Sequence, residues 1–499
     1  MKRFFLITLS LSLPAWGWKE SFSFEELPNP EGVDPQVGAM GMMPDGRLAV
    51  AFHRGEVMCY DASKKQWAMF ARGLQEPLGM LVESAQSILV MQRAELTRLR
   101  DTDGDGVADE YETVFDDFGM SGNYHEFAYG PARDAEGNLY IVLGIASNGA
   151  PMAQEIRGEF SPIGKLNREQ MSDLSQWKKN SGAAGRMYAR VNGRGWMIKI
   201  SADGKKAEYY ASGFRSPNGI GFDAKGRLLV TDNQGDWRPT SPLYAVKKDG
   251  FYGHPASLVW KPNWDGRDPL QVPVKELDAM QEKAVGYFSQ GELANSPTWP
   301  VVIPESGFPA AWAGATLIGE MNQRQLVRVI DDEVDGQFQT AMVPLFDGSP
   351  LGMGNNRLAF ASDGSLYVGK TALSWPGSKG LMRIRWNGQA FFSLDGVKAL
   401  KDGFELTFSQ PVDQASLAKL AISRHTYDYH AAYGAPKKNL EKLALQNIER
   451  SADGRRVTIK LGALREAYLH FFDLRSLRSE KGTKLLGDRA WYYVLKAPK

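Results

Sequence analysis

Cysteine is almost absent: Cys59 is the single one in 499 residues. No internal disulfide can form, so an exported chain of this size points to a bacterial periplasm rather than a eukaryotic secretory route. Cys-x-x-Cys-His is missing too, which excludes a covalently attached c-type haem. Charge of one sign is equally scarce, 59 Lys and Arg against 58 Asp and Glu, for a formal net charge of +1. A basic face that displaces condensed counterions is therefore not expected, and nucleic acid is not an expected partner. After the first residues no segment reaches 18 apolar residues, so the mature chain should not span a membrane. A nucleophile elbow and a Walker loop are both lacking, and the glycine-rich stretches read as turns rather than phosphate cradles.

What is present is the material of a turn-rich β protein, with 52 glycines, 13 tryptophans and 43% hydrophobic residues. The N-terminus reads as an export signal over 1–17. Lys2 and Arg3 precede the short apolar run Phe4 to Leu13, and Ala15-Trp16-Gly17 offers small residues for cleavage. Beyond it a unit recurs: a short apolar run, a glycine turn, then further β-rich runs. Met40 to Asp61, Leu78 to Leu99, Phe127 to Gly144, Ile220 to Thr231 and Leu358 to Gly369 carry it, with a divergent copy from about Pro300 to Gly348. Each copy supplies strands that cannot bury both faces alone, and radial stacking covers them. The expected fold is an all-β, six-bladed β-propeller over 30–390, with a stacked-hairpin sandwich as the alternative. Insertions at roughly 145–190 and 253–298 hold the helix candidates, Arg168 to Lys179 and Val274 to Gly286, and are expected to build the binding face. Over 395–499 runs such as Gly403 to Phe408, Val457 to Leu461 and Trp491 to Leu495 alternate apolar and polar residues. They predict a small immunoglobulin- or fibronectin-like β-sandwich with a structural or adhesive role.

One motif is specific for a hard cation. In Asp101-Thr102-Asp103-Gly104-Asp105-Gly106-Val107-Ala108-Asp109-Glu110-Tyr111-Glu112 the carboxylates fall at loop positions 1, 3, 5, 9 and 12. Glycine stands at position 6 and the Val107 carbonyl at 7, the oxygen set that calcium needs. The expected ligands are Asp101, Asp103, Asp105, Val107, Asp109 and Glu112, holding Ca2+ as a clip between strands; a solvated acidic turn is the alternative.

Candidates for chemistry are few, with six histidines in all. His125 stands immediately before the first strand of a blade, where a propeller opens to its funnel. His53 follows an inner strand and His254 begins an insertion. Each is either a structural hydrogen-bonding residue or a general base near neutral pH. His425, His430 and His470 fall in the C-terminal region, away from any expected funnel. Two polar stretches, Gly213-Phe214-Arg215-Ser216-Pro217-Asn218-Gly219 and Thr231-Asp232-Asn233-Gln234-Gly235-Asp236-Trp237-Arg238, either close a blade or bind a ligand.

With Tyr124-His125-Glu126-Phe127, Gly213 to Ile220 and Asp249-Gly250-Phe251-Tyr252-Gly253-His254-Pro255 in view, the 30–390 region resembles the glucose/sorbosone dehydrogenase family of quinoprotein propellers. It looks closest to propeller domains of large secreted planctomycete and verrucomicrobial proteins described as dehydrogenases. The resemblance implies pyrroloquinoline quinone (PQQ) bound over a calcium ion in the funnel, with His125 as base and Arg215 touching the quinone. It places Ser216 where the family has asparagine, and the carbonyls that hold the cofactor calcium at about Gln234, Gly235 and Asp236. The family's quinone-binding lysine falls at about Asn322, and of its later arginine pair only Arg357 remains; Arg324 or Arg238 would have to substitute.

These features predict a periplasmic or secreted oxidoreductase acting on a sugar or related alcohol, with a separate cytochrome or quinone as electron acceptor. The alternative is a non-redox propeller that binds or cleaves a glycan fragment, with Trp237, Trp299 and Trp375 stacking on sugar rings. A protein-interaction scaffold is the third reading.

Overall fold

The computed structural model describes residues 17–373 and 376–499. The expected export signal therefore lies outside the described residues except for Gly17, and Trp375 lies outside them as well. Six four-stranded antiparallel units follow the recurring sequence copies. Their innermost strands are Val37–Met42, Gly79–Ser84, Ala128–Arg133, Pro217–Phe222, Pro297–Val302 and Asn355–Phe360. Each packs on the next, and the sixth packs back on the first, so the ring is closed. Phe22–Glu26, upstream of residue 30, pairs with Gly380–Trp386 and supplies the outer strand of blade six. Both ends of the propeller thus meet in one sheet, and no inner strand edge is left open.

Burial explains which run becomes which strand. The second strand of a blade, such as Leu48–Phe52 or Leu139–Leu143, is buried throughout because a neighbouring blade covers each of its faces. Outer strands such as Glu110–Phe115 stay half exposed and read as polar. The turn glycines Gly46, Gly137, Gly226 and Gly364 all have φ between 76° and 87°, which only glycine adopts without strain. Gly219 answers a different need: a Cβ there would meet the Thr298 carbonyl of the adjacent inner strand. Cys59 is buried in blade one, and burial pushes its thiol up to about 11, so it is an inert core residue.

The helix candidates form where expected, as Arg168–Ser172, Leu174–Asn180 and Val274–Met280, inside the two insertions. The C-terminal strands are more tightly joined to the ring than a flexible appendage. Arg489–Val494 pairs with Gln337–Leu345 of blade five, and the sheet continues through Tyr468–Asp473 and Ala421–Thr426 to Lys438–Lys442. A second sheet, Leu394–Leu400, Gly403–Phe408, Arg456–Lys460 and Asn447–Arg450, packs on this extension. Their shared core holds Phe404, Phe472 and Tyr492 together with Ile330 and Val343 of blade five. Among the described residues no helix is long and apolar enough to cross a membrane.

Candidate functional site

The funnel contains a cavity of about 500 Å³, walled by residues that precede or follow the inner strands together with parts of the insertions. His125 lies on this wall, held by its own loop. Asn123 organises that loop: its Oδ1 accepts from the amides of His125 and Ser147, both at 3.1 Å, and its Nδ2 donates to the Ser147 carbonyl at 2.9 Å. Glu126 accepts from the Ser121 amide at 2.8 Å and hydroxyl at 2.7 Å. Arg93 donates to the Tyr124 carbonyl at 3.0 Å.

The imidazole of His125 is set up as a proton acceptor. Its Nδ1 lies 3.0 Å from the Ile145 carbonyl, which can only accept, so Nδ1 carries the hydrogen and Nε2 is left as the free acceptor. Burial, and then the nearby Arg215 charge, pull its pKa down to about 4, so the ring is neutral at pH 7. His53 also lines the cavity; both of its nitrogens are buried without a partner, and burial lowers its pKa to about 4. His470, fully buried against Phe404, is lowered to about 3. These three are neutral in the fold but take up protons in the unfolded chain below its ordinary pKa of 6.5. Their contribution to stability is whole above pH 6.5 and is lost as pH falls towards 4, at up to about 1.4 kcal/mol per unit for each ring. Urea denaturation at pH 7, 5.5 and 4.5 should show the steepest loss below 6.5; an unchanged midpoint would contradict the neutral assignment.

Asp232 ties the two polar stretches together. Fully buried, it accepts from the amides of Arg215 (2.9 Å), Ser216 (2.7 Å) and Asn233 (2.8 Å) and from Arg238 Nη2 at 3.1 Å. Arg215, carried by this loop, donates from Nε to Asp236 at 2.8 Å. His254 completes the group: the Ala256 amide donates to its Nδ1 at 3.3 Å, so the Nε2 hydrogen points at Asp236, 3.1 Å away. Burial keeps this imidazole neutral, and it acts as a prop for Asp236. Burial works against the Asp236 charge, yet His254 and Arg215 together hold its carboxyl below the usual range.

The C-terminal region, expected to lie away from any funnel, reaches it. The segment around His430 lies across the loop of Asn233 to Pro239: the Gly434 amide donates to the Gly235 carbonyl, and that of Ala435 to Pro239, both at 2.8 Å. Tyr429 donates to the Gly253 carbonyl at 2.5 Å and packs on Trp237. Tyr433 thereby enters the cavity wall, with the Arg186 guanidinium 4.4 Å and that of Arg215 5.5 Å from its ring centre. The only signal in the sequence was the aromatic run Tyr427 to Tyr433 between two strands. Tyr433→Ala should weaken ligand binding about two- to fivefold, the worth of such a ring–cation contact. Because the side chain is 46% exposed, Tm should hold; unchanged binding in calorimetry would deny Tyr433 a place in the site.

Several expected contributors sit elsewhere. Ser216 and Gln234 do line the cavity, but the Gly235 carbonyl is taken by Gly434. Asn322 turns its amide to the Pro376 carbonyl at 2.6 Å, and the wall passes through Met321 instead. Arg324 is exposed and off the wall. Arg357 is fully buried and donates to the carbonyls of Asn218, Asn356 and Leu78. Arg238 is committed to Asp232. The expected stacking tryptophans are corrected too: Trp237 is buried against Phe251 and Leu258, and Trp299 packs under Arg357. The aromatic rings on the wall are Tyr124, Phe127, Tyr129 and Tyr433.

A tricarboxylate needs cations that are free to meet it, since buried carboxylates are costly without charge partners. The wall offers Arg186, stacked on Tyr433, and Arg215, already paired with Asp236, while its carboxylate Glu76 is paired with Arg93. This set does not fit PQQ; the rest of the polar wall is uncharged amide and hydroxyl, from Asn148, Asn218, Asn233 and Ser296.

The acidic loop lies apart from the funnel, in blade two between Leu96–Arg100 and Glu110–Phe115. Asp101, Asp103 and Asp105 bring carboxylate oxygens within 4.8 Å of one another, and Asp101 accepts from the amides of Gly104 and Gly106. The Val107 amide donates to Asp105 at 2.8 Å. Asp109 instead faces the Thr102 hydroxyl at 2.9 Å. Glu112 is drawn to Arg98 (2.9 Å) and Arg100 (2.7 Å), because strand pairing sets it opposite Arg98.

Residues 59–197 match the family model of a domain of unknown function, DUF7133. No curated protein matches the chain. Among solved structures the chain is similar to the PQQ-bound form of aldose sugar dehydrogenase from Streptomyces coelicolor, at 16% identity and TM-score 0.45, over 74% of this chain and 99% of that one. It is similar to the soluble aldose sugar dehydrogenase of Escherichia coli in its apo-form, at 16% identity and TM-score 0.47, over 73% and 99%. The PQQ domain of pyranose dehydrogenase from Coprinopsis cinerea is similar at 12% identity and TM-score 0.47, over 73% and 96%.

Proposed function

We propose that the funnel binds a sugar or related alcohol and that His125 takes the proton from one of its hydroxyl groups. The observation that carries this is the tautomer: Nδ1 is committed to Ile145, and a neutral Nε2 is free on the cavity wall. Tyr124, Phe127 and Tyr433 line the cavity as apolar surface for a sugar, and the amides around them offer donors and acceptors for its hydroxyls. Arg215, on the same wall and still charged beside Asp236, would stabilise the alkoxide that forms as the proton leaves.

Proton removal of this kind serves oxidation, which the resemblance to sugar dehydrogenases favours, and equally a non-redox reaction on a glycan. Oxidation also needs an acceptor for the hydride, and the wall favours one with fewer negative charges than PQQ. The deciding experiment is sugar-dependent bleaching of a redox dye, run with and without added PQQ and calcium. Bleaching that is lost in His125→Ala establishes the oxidoreductase, and a requirement for PQQ would overturn the charge argument. Sugar binding by calorimetry without bleaching leaves the non-redox reading, and no sugar binding at all removes the proposal.

The same proposal includes calcium at Asp101, Asp103 and Asp105, as a clip in an exported protein. Support comes from the spacing of the motif and from the convergence of the three carboxylates. Millimolar calcium should raise Tm by about 3 °C over a chelated sample, as expected for a ligand at roughly a hundred times its Kd. An Asp103→Ala variant that still responds to calcium would move the ion elsewhere.

A further inference from the structure

Beside the funnel lies a second cavity of about 260 Å³, which shares only Arg186 and Met187 with the funnel wall. It is built where the two insertions meet, with Ala431 of the C-terminal segment at its margin. Arg190 stands on its wall, with only 6% of the residue exposed. Its Nε donates to the Ser161 carbonyl at 2.9 Å and its guanidinium lies over Phe160, but its Nη2 is buried with no partner. Arg190 makes no ion pair among the described residues.

Two other buried arginines in the ring are placed differently. Arg194 and Arg357 spend most of their donors on backbone carbonyls and line neither cavity. Each of the three keeps one buried donor unmet, but Arg190 alone among them lines a cavity. Lys165 and Arg186 share the wall, exposed and likewise outside any ion pair among the described residues. Of the two carboxylates there, Asp236 belongs to Arg215 and His254, while Asp268 caps the Leu270 amide at 3.0 Å and acts on Arg190 through its charge without pairing with it. The cavity therefore carries surplus positive charge around a desolvated guanidinium, a setting that an oxyanion completes with charge-assisted hydrogen bonds.

We propose that this side cavity binds an oxyanion through Arg190 and that, given the funnel reading on which this second step rests, the anion is a carboxylate or sulfate substituent of an acidic sugar. Arg186, common to both walls, lies where the ring and its charged substituent join. The test is calorimetric titration of the full chain with D-glucose, D-glucuronate, D-glucose 6-sulfate and inorganic sulfate. At least one acidic sugar should bind about tenfold more tightly than glucose, and whichever does names the substituent.

Arg190→Gln should erase that difference while leaving glucose affinity unchanged. Arg190→Lys, which keeps the charge, should retain part of it, and circular dichroism confirms the fold of both. Lys165→Ala, an exposed change that spares the fold, should weaken the acidic sugar about two- to fivefold. If glucose binds but the acidic sugars bind no better, the side-cavity proposal is overturned and the funnel reading stands. Arg190-dependent binding of sulfate in the absence of any sugar binding supports the anion site and removes the funnel reading. Failure of both sulfate and glucuronate to bind overturns the site itself.

Discussion

Asp232→Ala lowers the stability of the whole propeller by about 3–5 kcal/mol, the usual cost of breaking a buried ion pair from one side. The residue is fully buried and satisfies three amides from two loops as well as Arg238, itself 1% exposed. Once the carboxylate is gone, Arg238 stays charged in the interior, and the loop that presents Arg215 loses its anchor. Asp232→Asn should recover only part of the loss, because an amide accepts through one oxygen and brings no charge. Urea unfolding followed by tryptophan fluorescence reads the effect. A midpoint within error of the parent would show that these loops are held by something other than Asp232.

His125→Ala is expected to cut turnover by about 10²–10⁴, the range attributed to a positioned general base, with Tm nearly unchanged. The side chain makes one hydrogen bond, to Ile145, and ring contacts with Tyr124 and Phe127, so its removal costs the fold about 1–3 kcal/mol, small for a chain of this size. A large fall in Tm with proportional loss of activity would instead assign a structural role. The pH profile gives a second readout. Because the imidazole acts in its neutral form, kcat/KM should stay level from pH 7 to 5 and fall as pH drops through about 4. An acidic limb near 6.5 would mean that His125 meets more water than its burial shows.

The blades were legible in the sequence because each is a local unit. Strand, glycine turn and strand lie within about twenty residues, and the turn glycines mark positions where φ must be positive. The helices of the insertions followed from periodicity in the same way. His125 and Arg215 could be singled out because the segments that hold them, Tyr124 to Phe127 and Gly213 to Gly219, are contiguous. Glu112 is the instructive failure: counting along the loop made it a ligand, but its strand pairs with Leu96–Arg100 and its charge goes to Arg98 and Arg100. The same holds for Trp237, which reads as a loop-end aromatic and is buried by Tyr429, nearly two hundred residues away in the chain.

By itself the sequence determined the all-β character and the repeated blade, since each depends on neighbours within one strand-turn-strand unit. The tertiary structure decided what those residues are free to do. Closure of the ring through Phe22–Glu26, the pairing of Arg215 with Asp236, the burial of Arg357 and the entry of Tyr433 into the funnel all join segments far apart in the chain. Whether a cation is available to a ligand depends on which carboxylate or carbonyl reaches it first, and that competition is settled only when distant loops pack against one another.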